Sequence, residues 1–89
     1  NYKQFMAYKQ LTKLIREKIQ RKETIETKVL NLYEASNPSF YYVYEILGDY
    51  YAAIQQTDTA ITYWQKALTM PIPKQAEKVR IQQKINKNQ

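Results

Sequence analysis

Glu45 and Asp49 are carboxylates four residues apart, a spacing that can in principle do acid–base work or hold a hard cation. The chain contains no His and no Cys. That excludes imidazole general bases, Ser-His-Asp triads, thiolate nucleophiles, disulfide scaffolds and zinc fingers. With a single Gly it holds neither of the glycine-rich phosphate loops, GxxxxGK[ST] or GxGxxG. No glycine loop and no pattern of a deep pocket accompanies the two carboxylates, so they do not read as a catalytic pair. Neither a cofactor nor a metal is expected, and the chain reads as a non-enzyme.

The elements that position these residues are helical. Eighty-nine residues, 44% apolar and 25% charged, make one folded domain spanning 1–89. One Gly and three Pro are too few for a turn-rich β fold. Phe5, Tyr8, Leu11, Ile15 and Ile19 recur at steps of three and four. Ile25, Val29 and Leu32 resume the pattern, with Thr24 as the expected cap of a second helix. A break at 21–24 and a single helix of about 35 residues both fit residues 1–36.

Asn37-Pro38 is the clearest boundary, an N-cap followed by a first-turn proline. The expected third helix runs from Pro38 to Gln55, with Tyr44, Leu47, Tyr51 and Ile54 inward. Asp58 is the expected cap of a fourth, carrying Ala60, Ile61, Trp64, Ala67 and Leu68. Pro71 and Pro73 end it, and Pro73 opens a last helix with Val79, Ile81 and Ile85 on its apolar side.

Charge divides along the chain. Residues 1–28 carry eight Lys/Arg against three Glu; 29–70 carry one Lys against four acids; 71–89 carry five Lys/Arg against one Glu. The net charge of +6 permits attraction to nucleic acid or anionic lipid. The alternative is a set of solvated helix faces, since Glu17, Glu23 and Glu26 intersperse the basic start. No nucleic-acid motif accompanies the charge, so a nucleic-acid partner is not expected. No stretch is long and apolar enough for a membrane span.

Residues 41–74 resemble a tetratricopeptide (TPR) repeat. Tyr44, Leu47, Gly48, Tyr51, Ala60, Trp64 and Ala67 fall in one fixed register on the family's large residue, Leu-Gly, Tyr, Ala, aromatic and Ala positions. Gly48, Ala60 and Ala67 are small residues where two antiparallel helices must approach closely. Departures are Gln55 at the usual turn glycine and Ile72 at the late proline. Residues 1–36 match poorly, as a degenerate repeat or packing helix pair, and 75–89 look like a C-terminal capping helix.

The resemblance implies an all-α fold of TPR-like antiparallel hairpins stacked in a short right-handed array of about five helices. Its units would be 1–36, 37–74 and 75–89. It implies a protein–protein interaction or docking module for a peptide or protein partner. The concave positions of the family fall on Tyr42, Glu45, Asp49, Ala52 and Ala53, a set that suits a basic or apolar ligand. Glu45 and Asp49 occupy slots where the chaperone-binding subfamily has Lys and Asn, so a clamp for a terminal carboxylate is not expected. These two acids face either a ligand, or water and Lys residues of the same chain.

The alternative reading is a C-terminal helical appendage of a larger secreted bacterial hydrolase or acyltransferase, used for packing or dimerisation. Its partner would be the rest of its own chain or a second copy. The start at Asn1, without Met, reads as a piece of a longer protein or a processed chain. Its compartment would be the cytoplasm or, for an exported protein, outside it.

Overall fold

A computed structural model describes residues 2–89. Five helices follow one another: α1 (Tyr2–Arg21), α2 (Thr27–Ser36), α3 (Tyr41–Ala53), α4 (Thr57–Leu68) and α5 (Gln75–Asn88). No strand occurs among the described residues. The fold is an all-α array of helical hairpins, α1–α2 and α3–α4, closed by α5.

Residues 1–36 are therefore two helices and not one. α1 ends where Lys22 takes a left-handed backbone, φ 55°. Lys22 N–H donates to Ile19 O at 3.1 Å and Glu23 N–H to Lys18 O at 3.0 Å. α3 ends the same way at Gln55, φ 68°, with Gln55 N–H on Ala52 O at 3.1 Å and Gln56 N–H on Tyr51 O at 2.8 Å. This paired bonding is the Schellman terminator, which satisfies orphan carbonyls and usually employs glycine. Both hairpins make it without one.

Three expected caps move. The second helix begins after Glu26, not at Thr24. Asn37 closes α2, donating its N–H to Glu34 O, and Phe40 is the cap of α3. The reason is a turn at Pro38-Ser39 in which Phe40 N–H donates to Asn37 O at 3.3 Å. Phe40's ring is held edge-on by Tyr8 and Tyr41, which fixes the start of α3 there. Likewise α4 is capped by Gln56, and Asp58 lies in its first turn, favourable for the helix dipole. The last helix starts at Gln75 after Lys74, two residues beyond Pro73.

The core joins all five helices: Ile15 from α1, Leu30 and Tyr33 from α2, most of α3, then Ala60, Trp64 and Ala67, then Ile81 and Ile85. Three expected core residues are outside it. Phe5, Leu32 and Val79 are exposed. In α2 the buried face is Leu30 and Tyr33, so the helix is turned by about one residue from the expected stripe. Tyr33 is buried because its hydroxyl has a partner, accepting from Thr12 Oγ1 at 2.8 Å.

Ala60 and Ala67 are fully buried and Gly48 lies beneath the Trp64 indole. A Cβ on Gly48 would stand 2.4 Å from Trp64 Cδ1 and Nε1. The ring cannot swing aside, because Nε1–H is shared between Glu45 O at 3.2 Å and Asp49 Oδ1 at 3.1 Å. Gly48→Ala gains about 1 kcal/mol of helix propensity. It must also displace a hydrogen-bonded indole, and overpacking of this kind costs roughly 1–3 kcal/mol. We expect net destabilisation, read as a melting temperature lowered by several degrees. A melting temperature equal to or above wild type would refute the close-packed hairpin.

Candidate functional site

α3 and α5 face each other through two sets of polar side chains at matched spacing. Tyr41, Glu45 and Asp49 rise along α3; Glu77, Arg80 and Lys84 rise along α5. Tyr41 O–H donates to Glu77. Arg80 grips Glu45 with two bonds, Nε to Oε2 at 2.8 Å and Nη2 to Oε1 at 2.7 Å. Lys84 Nζ donates to Glu45 Oε2 at 2.7 Å and to both Asp49 oxygens at 3.0 Å. The pairs advance together, so the two helices run in the same direction.

Glu45 is 1% exposed, the one buried charged residue among those described. A carboxylate in that position is tolerable only when paired and fully hydrogen-bonded. Burial by itself would raise its pKa, but the Arg80 and Lys84 bonds and charges outweigh burial and hold it below the ordinary glutamate value. Asp49 goes the other way. Burial pushes it up, Lys84 and the Trp64 N–H offset this only in part, and the Glu45 charge adds to the rise. Hydrogen bonding to Glu45 raises the Arg80 pKa, so its charge is permanent. Tyr41 is pushed up to about 12 by burial and by Glu77.

Beside this network lies a groove of about 350 Å³. Arg16, Ile19 and Gln20 of α1 form one wall, and Arg80 and Lys84 of α5 the other. Tyr42, Glu45, Ile46 and Asp49 of α3 form its floor. Arg16 Nη1 donates to Tyr42 Oη at 3.4 Å and has no ion pair among the described residues. Three of the expected site residues, Tyr42, Glu45 and Asp49, therefore meet in one groove. Ala52 and Ala53 do not line it; both are half-buried towards the end of α3.

The two acids on which the expectation of a basic or apolar ligand rests are paired within the chain. Both carboxylates are already engaged by Arg80 and Lys84, the same-chain pairing that stood as the alternative to ligand contact. Arg80, Lys84 and Arg16 were not singled out from the sequence. A signal was present: Glu45/Asp49 and Arg80/Lys84 are opposite charges at the same four-residue spacing on two helices. Among the described residues no three or more acids converge as a metal site would require. No helix among them is long and apolar enough to cross a membrane. Comparison with family models, with curated proteins and with solved structures finds no match to this chain.

The lowered Glu45 pKa sets the sign of an acid dependence. Its contribution to stability is complete above the unfolded value of about 4.3 and is lost as pH falls through the lower folded value. Glu45→Gln leaves the shape but removes the charge, and should cost roughly 1.5–3 kcal/mol at neutral pH. The gap between wild type and E45Q in urea unfolding should shrink as the solution is acidified below about pH 4. A gap that stays constant or widens on acidification would show that Glu45 is not held as a paired carboxylate.

Proposed function

We propose that this domain is a protein-interaction module that holds a peptide or protein segment in the groove between α1, α3 and α5, and that it is a TPR-like repeat unit without catalytic activity. The observation that carries this reading is the groove itself. Its three helices are the alternate members of the array, and α2 and α4 contribute nothing to its lining. Two further features support a repeat. Both first helices end in the same terminator, at Lys22 and Gln55, 33 positions apart. Gly48 and Trp64, which occupy the family's small and aromatic positions, are in direct apposition.

A groove-filling change tests this without touching the core. Gln20 is exposed and lines the groove from α1. Affinity capture from an extract of the source organism should recover a partner with wild type and with Lys28→Glu on α2. Recovery should drop roughly tenfold with Gln20→Trp, which corresponds to about 1.4 kcal/mol. Equal recovery with all three proteins rejects the groove as the docking site.

A second reading, packing or dimerisation as an appendage of a larger protein, is favoured by one observation. On the first hairpin Leu14, Ile25 and Val29 surround a cavity of about 340 Å³, and Leu14 and Leu32 are exposed large apolar side chains. Such residues together mark a surface suited to burial. This reading predicts a concentration-dependent dimer in sedimentation equilibrium that Leu14→Glu dissolves. A monomer at all concentrations rejects self-association through that face.

A further inference from the structure

Resting on the docking reading above, we infer that the groove takes an acidic peptide segment carrying an apolar anchor, the reverse of the charge preference that Glu45 and Asp49 suggest when seen alone. Those two carboxylates are neutralised from one side by α5. Glu45 is enclosed, and its oxygens are occupied by Arg80 and Lys84. What remains open to a ligand is mainly cationic, since Asp49, 24% exposed, is already bonded to Lys84 and Trp64. The Arg80 side chain is 46% exposed and retains donor capacity beyond its two bonds to Glu45, whereas Lys84, 28% exposed, directs its ammonium donors to Glu45 and Asp49 and offers a ligand its charge alone.

The cationic surface continues past the groove. A second cavity, of about 340 Å³, runs along α1 and shares Arg16 and Gln20 with the first. It adds Lys9 and Lys13 against one acid, Glu17. Lys13 and Arg16 have no ion pair among the described residues, and Lys9 rests only over the Phe5 ring. Across the joined surface five cations face three carboxylates; pairing of Arg80 and Lys84 with Glu45 and Asp49 leaves Lys9, Lys13 and Arg16 against Glu17. An acidic chain would meet unpaired guanidinium and ammonium groups, and a basic chain would meet them as repulsion.

The floor selects peptide over nucleic acid. Half-buried Ile19, on the α1 wall above the buried Ile46, offers an apolar seat between the charged groups. Tyr42, the aromatic residue in the lining, is half-buried and packs against the rings of Phe40 and Tyr41. That leaves no free ring platform of the kind that stacks bases. The recognised segment is therefore one with a Leu, Ile or Phe side chain flanked by Asp and Glu.

The test uses the whole 89-residue chain, isotope-labelled for NMR, and three probes at one moderate salt concentration. The probes are a synthetic peptide of Glu and Asp around a Leu-Phe pair, the same peptide with Lys replacing every acid, and an oligo-dT strand. The acidic peptide should shift the resonances of Ile19, Tyr42 and Ile46. Arg16→Glu and Lys13→Glu should each weaken it roughly tenfold. Lys28→Glu, the same charge change outside the groove, should change affinity less than about twofold. Binding of the basic peptide at those resonances overturns the acidic preference and leaves the docking reading standing. No shift at the groove with either peptide overturns both. Tighter binding of oligo-dT, or an equal loss with Lys28→Glu, overturns the inference in favour of nucleic acid or of net charge alone.

Discussion

The buried carboxylate of Glu45 constrains more of this molecule than any other single group. At 1% exposure it cannot stay ionised without partners, and its partners come from a helix 35 and 39 residues further along. A planar guanidinium that must present two parallel donors fixes α5 in rotation, and Lys84 one turn on fixes it along its axis. Burial of Ile81 and Ile85 supplies apolar attraction for α5, but such attraction is non-directional. The ion network supplies the register.

Trp64 ties that network to the hairpin beneath it. Its indole sits on Gly48, where no side chain can fit, and its single N–H reaches the backbone of Glu45 and the carboxylate of Asp49. The packing of α4 on α3 and the docking of α5 on α3 therefore share atoms. Disturbance of the hairpin is transmitted to the acids, and loss of the acids leaves a buried indole N–H with one acceptor fewer. The stacked rings of Tyr51 and Tyr63, at 5.5 Å, and of Tyr44 and Tyr63, at 6.5 Å, join the same two helices away from the groove. Tyr44 closes its own end by donating to Pro38 O at 2.6 Å. Much of the tyrosine content is thus accounted for as packing with satisfied hydroxyls.

What could be read from the sequence was what local physics decides. Spacing, prolines and small residues placed the last three helices and a close approach at Gly48, and left residues 1–36 open between one helix and two. Cap positions moved by one to three residues where tertiary contacts prevailed, as at Phe40, whose ring is clasped by Tyr8 and Tyr41. Periodicity misjudged α2, because the stripe of Ile25, Val29 and Leu32 passes over Leu30 and Tyr33, the two residues buried there, with the Tyr33 hydroxyl engaged by Thr12. At the site, the family register grouped Tyr42, Glu45 and Asp49, which line one groove, with Ala52 and Ala53, which do not. It could not show α5 or α1, since the meeting of Arg80 with Glu45, or of Arg16 with Tyr42, depends on how helices distant in sequence stack.

That limit has a chemical consequence. A helix considered by itself displays the charges written on it, and α3 displays two negative ones. In the assembled array each inner helix is flanked by others whose charges add to or cancel its own. Here α5 brings two cations to α3's two acids, and Arg16 of α1 then stands across the groove without a counter-ion. The potential a partner meets is therefore a property of three helices together. It is set by the same bidentate bond that positions α5, so the structural role and the electrostatic role of Glu45 cannot be separated by a substitution at Glu45. Residues on the open rim, such as Arg16 and Lys13, can alter the charge a ligand meets and leave the helices in place.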